Sequence, residues 1–127
     1  MSVVAGRMPW NSECILGNML DFEISPPDLA SKLADGKPAD LVLLDVREPW
    51  EYATAKIEGS SLIPMGEIPA RVQGLDPEAH IVTICHSGVR SMNVAVWLSN
   101  QGLEKVQSLR GGIDAWSREV DPQVPRY

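Results

Sequence analysis

The run LVLLDV, from Leu41 to Val46, constrains the fold of this chain more than any other feature. It is apolar throughout except for Asp45, and it lacks the alternation of polar and apolar positions that marks a half-exposed strand. A strand that is apolar on both faces must be covered on both faces, as the strands of parallel sheets are. The run therefore predicts an interior strand of a parallel sheet.

Strands and helices are predicted to alternate along the rest of the chain. The other predicted strands are Ser61–Pro64, His80–Ile84 and Val106–Leu109. The first predicted helix begins at the start signal Ser25-Pro26-Pro27-Asp28 and ends at Gly36. Three more are predicted over Glu48–Thr54, Glu67–Gln73 and Ser91–Gln101. The last is predicted to run through Ile113, Trp116 and Val120 and to end at Pro122. In the Ser91–Gln101 helix, the predicted stripe is Met92, Ala95, Val96 and Ser99. This alternation predicts a single α/β domain with a mainly parallel sheet.

Length, charge and hydropathy restrict the classes of partner. The chain has 127 residues and a formal net charge of −6, so it suits one domain and is a poor candidate for binding nucleic acid. No apolar run approaches the roughly 20 residues of a membrane span, and the N-terminus lacks the apolar core of a signal peptide. We therefore expect a cytoplasmic protein with no membrane association.

The N-terminal part of the chain differs from the rest. Residues 1–21 are predicted to be an extension, either flexible or forming one helical turn through Ile15 and Met19. Residues 22–127 are predicted to form the single domain.

The chain has two cysteines, Cys14 and Cys85, and two histidines, His80 and His86. Their spacing matches no zinc site, so we expect no metal. A Cys14–Cys85 disulfide is not expected in a reducing compartment.

The stretch ICHSGVRS places Cys85 after a predicted buried strand and before a predicted helix. By itself such a cysteine is core filler, a metal ligand, a disulfide partner or a nucleophile. Gly88 permits a tight loop whose N–H groups point inward, and the helix start and Arg90 add positive potential. These features favour a thiolate, the nucleophilic form of cysteine. His86, the residue after Cys85, is a polar or partly cationic group and a further candidate for adjusting the potential at the sulfur.

Four motifs, taken in order, resemble the rhodanese family of sulfurtransferases over about residues 22–127. They are LLDVREPWEY (residues 43–52), KIEGSSLIPMGEI (56–68), IVTICHSGVRS (81–91) and LRGGIDAW (109–116). The resemblance implies a rhodanese-like fold, in which helices flank both faces of a five-stranded, mainly parallel sheet.

The resemblance also implies a chemistry. Cys85 would take sulfane sulfur from an anionic donor such as thiosulfate, or from a persulfide-donating protein, and pass it to cyanide or a thiol. The intermediate would be a persulfide on Cys85, with no separate cofactor. The loop holding it would consist of His86, Ser87, Gly88, Val89, Arg90 and Ser91. Arg90 would brace the loop, and Arg47 and Asp45 would bind the donor or form a structural ion pair.

Two rival functions and one departure from the family pattern remain open at this stage. Phosphatases of the same fold have five residues between cysteine and arginine, whereas four separate Cys85 from Arg90 here. A sulfur-carrier module would use the same residues with slow turnover on small donors. Many thiosulfate-using members have a lysine or arginine where this chain has His86, a weaker and pH-dependent cation, so the natural donor stays undecided.

Overall fold

The computed structural model describes residues 22–127. The interpretations placed on residues 1–21, including the extension and the role of Cys14, lie outside the described residues.

Five strands and five α-helices make up this part of the chain. The strands are β1 (Glu23–Ile24), β2 (Leu41–Asp45), β3 (Ser61–Leu62), β4 (His80–Ile84) and β5 (Val106–Leu109). The helices are α1 (Pro26–Leu33), α2 (Pro49–Thr54), α3 (Ile68–Arg71), α4 (Val89–Asn100) and α5 (Gly112–Glu119), and short 3-10 turns at Met65–Glu67 and Val72–Gly74 flank α3.

The strands form one sheet in the order β1-β5-β4-β2-β3, and every neighbouring pair is parallel. The interior strands β2 and β4 are in register from Leu41 opposite His80 to Asp45 opposite Ile84. Parallel strands present their carboxyl ends at one edge of the sheet, which in open α/β folds is the edge where ligands bind.

Each face of the sheet carries its own apolar core. Leu41 and Leu43 of β2 belong to a cluster on one face that includes Leu29 of α1 and Trp116 of α5. Leu44 belongs to a cluster on the opposite face, whose other members include the following residues of α3, α4 and the Cys85 loop: Ile68, Val94, Ala95, Leu98 and Cys85. Successive β2 side chains thus enter different cores, which is why the sequence shows a continuous apolar run.

The predicted five-stranded sheet with helices on both faces is confirmed, but one strand had no assigned position in the sequence. This strand is β1, which has only two residues and pairs with the edge of β5. Ser108 N–H donates to the Phe22 carbonyl at 2.6 Å, and Arg110 N–H donates to the Ile24 carbonyl at 2.9 Å. A two-residue strand is too short to give a periodic pattern, so sequence periodicity cannot locate it.

The prediction for α4 was wrong in two respects. The helix begins at Val89 instead of Ser91, because Gly88 adopts the left-handed conformation (φ 105°) and caps it. Its buried face carries Ser91, Val94, Ala95 and Leu98, so of the predicted stripe only Ala95 is buried. Apolar residues stand on several sides of this helix, so its sequence pattern alone does not fix which face is buried.

Candidate active site at the carboxyl edge of the sheet

Cys85 directly follows β4 at the carboxyl edge of the sheet. The backbone N–H of Val46, just after β2, donates to the Ile84 carbonyl at 2.9 Å, so the ends of the two central strands stay joined there. The Cys85 residue is 1% exposed, and it is a free cysteine. The sulfur is therefore almost completely shielded from solvent by the loop that follows and the elements packed around it.

The loop after Cys85 turns back over the sulfur. The N–H of Gly88 donates to Cys85 Sγ at 3.0 Å, and the N–H of Ser91 donates to it at 3.3 Å. Because α4 begins at Val89, the sulfur faces the positive end of a 12-residue helix. Hydrogen bonds and a helix terminus of this kind stabilise a sulfur anion, either a thiolate or a persulfide.

A pair of buried hydroxyl groups lies on the inner side of the sulfur. Ser91 Oγ is 3.3 Å from Cys85 Sγ and 2.7 Å from Ser108 Oγ, and both serines are fully buried. The Thr83 hydroxyl donates to the Ser91 carbonyl at 2.8 Å, which fixes the first turn of α4 against β4. When the sulfur is ionised it can only accept, so the Ser91 hydroxyl is then a third donor to it.

The start of α5 packs against the backbone of the same loop at Cys85 and His86. Ile113 N–H donates to the Cys85 carbonyl at 2.8 Å, and Asp114 N–H donates to the His86 carbonyl at 3.0 Å. This approach is possible because Gly112 has no side chain and adopts φ 63°. The carbonyls of Cys85 and His86 are thereby turned away from the sulfur, so that N–H groups line the cradle.

Arg90 forms a two-pronged ion pair with Glu51 of α2. Its Nη1 and Nη2 atoms donate to the two carboxylate oxygens at 2.8 and 3.0 Å. The hydrogen bonds from Arg90 lower the pKa of Glu51 to about 2, and they raise the pKa of Arg90. The pair ties α4 to α2, and the carboxylate offsets much of the arginine charge. Backbone N–H groups and the helix terminus therefore contribute to the positive potential at the sulfur beside the charge of Arg90, whose pKa the nearby Cys85 helps to raise.

Arg47 and Asp45 form a fully buried ion pair beside the site. Arg47 Nε and Nη2 donate to the two Asp45 oxygens at 2.8 and 2.7 Å. The other guanidinium N–H groups donate to the carbonyls of Glu51 and Ala55 and to the Tyr127 hydroxyl. Burial alone would lower the pKa of Arg47, but these hydrogen bonds outweigh it and raise the pKa. With its five donors occupied, Arg47 has the geometry of structural support, the second of its two predicted roles.

Tyr127 and His86 lie in contact beside the cysteine loop. The Tyr127 ring packs edge-on against the His86 imidazole, with 4.4 Å between centroids. It also meets the exposed Trp50 ring at 5.7 Å. Ser87 and Val89 are exposed on the loop and direct no hydrogen bond to the sulfur.

The structure brings together all of the loop residues expected from the sequence, and it adds others. Glu51, Gly112, Ser108 and Tyr127 were not anticipated. The acid in the PWEY segment and the Gly-Gly pair were visible in the sequence, but nothing in the sequence indicates their partners. Over residues 22–127 there is no group of three or more His, Cys, Asp or Glu side chains that could hold a metal ion. No helix within this range is long and apolar enough to cross a membrane.

A family of domains described as "Rhodanese-like domain" matches residues 25–119. The "Sulfurtransferase" of Allochromatium vinosum is 38% identical over 102 residues, which cover 80% of this chain and 94% of that protein. The "Thiosulfate sulfurtransferase GlpE" of Stutzerimonas stutzeri is 32% identical, with 84% of this chain and 94% of that protein covered.

A longer relative and a solved structure extend the comparison. The "Rhodanese-like/PpiC domain-containing protein 12, chloroplastic" of Arabidopsis thaliana is 38% identical over 83% of this chain, and the match spans 37% of that protein's length. The crystal structure of a rhodanese-like domain protein from Staphylococcus aureus superposes with a TM-score of 0.70 at 30% identity, covering 83% of this chain and 97% of that one. The rhodanese-like fold expected from the four motifs is confirmed.

Proposed function

Because this chain belongs to the rhodanese family and is a rhodanese-type sulfurtransferase, we propose that it carries sulfane sulfur as a persulfide on Cys85. The single observation that carries this proposal is the environment of the sulfur. Two backbone N–H groups donate to Cys85 Sγ at the start of α4, and the residue is 1% exposed. A cradle that is complete before the charge arrives stabilises an anionic sulfur without reorganisation.

In the first half-reaction, the Cys85 thiolate attacks the outer sulfur of thiosulfate. A bond forms between Sγ and that sulfur while the sulfur–sulfur bond of the donor breaks. Sulfite leaves with the electron pair, so the total charge of −3 is the same on both sides of this half-reaction. The terminal sulfur of the persulfide keeps one negative charge, and we propose that it lies in the same loop, whose N–H groups at Gly88 and Ser91 hold Sγ together with the Ser91 hydroxyl.

In the second half-reaction, cyanide or a thiolate attacks the terminal sulfur of the persulfide. The bond between that sulfur and Sγ breaks, and Cys85 returns to the thiolate form. The cycle involves no net oxidation of the protein and needs no separate cofactor. Two half-reactions through one covalent intermediate predict ping-pong kinetics.

The donor best suited to the site is a small anion that presents a terminal sulfur. Because Cys85 is 1% exposed, the transferred sulfur must protrude from its carrier to reach Sγ. Thiosulfate has this shape, and one relative is named a thiosulfate sulfurtransferase. A persulfide on a protein cysteine has it too. A reducing compartment such as the cytoplasm would keep the free thiol available.

Intact-mass measurement after mixing with thiosulfate tests the proposal. We expect the wild-type protein to gain one sulfur atom, to lose it again on addition of cyanide, and to release thiocyanate. Cys85→Ser should gain no sulfur, while Ser99→Ala, a substitution in the last turn of α4, should load like the wild type. Loading of Cys85→Ser would refute the proposal. Loading only from a cysteine desulfurase would favour a sulfur carrier.

A further inference from the structure

The sulfur-transfer cycle assigns no role to Tyr127, although its ring contacts His86, the residue after Cys85. The segment that carries it is fixed to the domain, since Val124 is buried and its carbonyl accepts from the Ser117 hydroxyl at 2.6 Å. The phenol is half-buried and reaches two ion pairs and the residue that follows Cys85.

The Tyr127 hydroxyl links the two ion pairs in a defined direction. It accepts from Arg47 Nη1 at 2.9 Å and donates to Glu51 Oε2 at 2.8 Å. A guanidinium group can only donate and a carboxylate can only accept, so the phenolic proton must point to Glu51. Burial raises the pKa of Tyr127, so this donor persists over the neutral range.

Glu51 connects the Tyr127 hydroxyl to Arg90 of the loop. One of its oxygens accepts from Arg90 Nη1 and from the Glu48 N–H, and the other accepts from Arg90 Nη2 and from Tyr127. The carboxylate is thus held by four donors, and its plane sets the position of the guanidinium group. Arg90 lies in the first turn of α4, next to Ser91, whose N–H donates to Cys85 Sγ.

The Tyr127 ring acts on a different part of the site. Its edge-to-face contact with His86, at 4.4 Å between centroids and 66° between planes, restricts the orientation of the imidazole. His86 follows Cys85 directly, so the ring of Tyr127 fixes the side chain next to the reacting residue.

We propose that Tyr127 is a positioning residue for sulfur transfer: its hydroxyl fixes the Glu51–Arg90 ion pair that braces the loop, and its ring orients the His86 side chain next to Cys85. This inference rests on the proposed function of Cys85. It assigns two tasks to one side chain: Tyr127→Phe removes only the hydroxyl, and comparing it with Tyr127→Leu isolates the effect of the ring.

The first test removes only the hydroxyl. We expect Tyr127→Phe to lower the maximal rate of thiosulfate loading about 10-fold, the low end of the effect of losing one hydrogen bond to a charged group. The thiosulfate concentration at half-maximal rate should stay unchanged, because the ring still contacts His86. Tyr52→Phe is the matched control, since the Tyr52 hydroxyl donates to the Ser60 carbonyl at 2.7 Å, outside this network. That control should load at the wild-type rate.

The second test asks whether the hydroxyl acts through Glu51. In a Glu51→Leu background no side-chain acceptor is left for the Tyr127 hydroxyl at this position, so adding Tyr127→Phe should change the loading rate less than about 2-fold. A general structural role of the phenol would give the same loss in both backgrounds. An equal loss of loading rate from Tyr127→Phe in the two backgrounds would therefore overturn the proposal that the hydroxyl acts through Glu51.

The third test removes the ring. We expect Tyr127→Leu to change the ratio of loading by thiosulfate to loading by glutathione persulfide at least about 3-fold, the effect of losing one aromatic contact. Tyr127→Phe should leave that ratio unchanged. Urea unfolding of each variant identifies any that fails to fold.

The outcomes separate the two proposals. If the wild type loads and both Tyr127 variants match it, the inference about Tyr127 is refuted and the role of Cys85 stands. If the wild type gains no sulfur from either donor, the proposed function fails and the inference fails with it.

Discussion

Gly112 lies against the carbonyl group of Cys85 so closely that a β-carbon on it would stand 2.4 Å from the carbonyl oxygen. The same β-carbon would stand 2.4 Å from the His86 carbonyl oxygen. The start of α5 therefore acts as the back wall of the cysteine loop. Its backbone donates to both carbonyls through Ile113 and Asp114, which leaves the loop N–H groups facing the sulfur.

This contact predicts a strong effect of Gly112→Ala. The methyl group must displace loop backbone, and Gly112 adopts φ 63°, so we expect a loss of about 2–4 kcal/mol in the free energy of unfolding. Persulfide loading should fall with it. Gly66→Ala is the matched control, because a β-carbon there meets nothing within 4 Å. Equal urea midpoints for the two variants would contradict the close approach.

The Glu51–Arg90 pair predicts a dependence of stability on acid pH. The pKa of folded Glu51 is about 2 against an ordinary 4.5, so its contribution is complete above pH 4.5 and is lost as the pH falls towards 2. We expect Glu51→Gln to be less stable than the wild type at neutral pH. Its free energy of unfolding should also fall by about 2 kcal/mol less than that of the wild type between about pH 7 and about pH 3.

Glu67→Gln provides the control for this measurement. Glu67 pairs with Arg71 on the surface, where both side chains are more than half exposed, and such pairs contribute little. Its unfolding should follow the wild-type pH profile. A Glu51→Gln profile parallel to that of the wild type would contradict the assignment of the pair.

The buried Arg47–Asp45 pair predicts that Arg47→Lys is not a conservative change. A lysine has three donors on one nitrogen and cannot replace the five N–H groups that Arg47 uses, so we expect a loss of about 3 kcal/mol in the free energy of unfolding. The preference between thiosulfate and a persulfide donor should not change, since Arg47 is fully buried.

Arg118→Lys is the matched control, because Arg118 pairs with Asp114 on the surface and is about half exposed. It should unfold within about 0.5 kcal/mol of the wild type. A change of donor preference in Arg47→Lys, measured on the folded protein, would instead place Arg47 in contact with the donor.

The position of His86 predicts a gain of function with thiosulfate. His86→Arg places a permanent positive charge next to Cys85, so the thiosulfate dianion should reach half-maximal loading at a concentration about 5-fold lower. The gain should shrink at high salt, because screening weakens an exposed charge. Gln101→Arg, at the other end of α4, adds the same charge away from the sulfur and should have no such effect. If the thiosulfate concentration at half-maximal loading fell equally in both variants, the net charge of the protein alone would be responsible.

Much of the fold could be predicted because its signals are local. The β2 run is apolar on both faces, and the Ser25 hydroxyl does accept from the Asp28 N–H at 3.2 Å, as its start signal predicts. The placement of Cys85 after β4 needs only the strand and the next glycine. By contrast, β1 has two residues and the buried face of α4 depends on its neighbours, so neither has a local signal.

The sequence by itself determined the kind of site: a cysteine at a strand end, a glycine that permits the turn, and a helix start that favours a sulfur anion. These features depend on residues close together in the chain, whose geometry follows from backbone sterics and hydrogen bonding. Only the tertiary structure decided how the site is supported. Arg90 meets Glu51 across 39 residues, and Tyr127 meets Arg47 across 80. Such partners are brought together by the packing of α2, α4 and the segment after α5 around one sheet, and no local pattern encodes that packing.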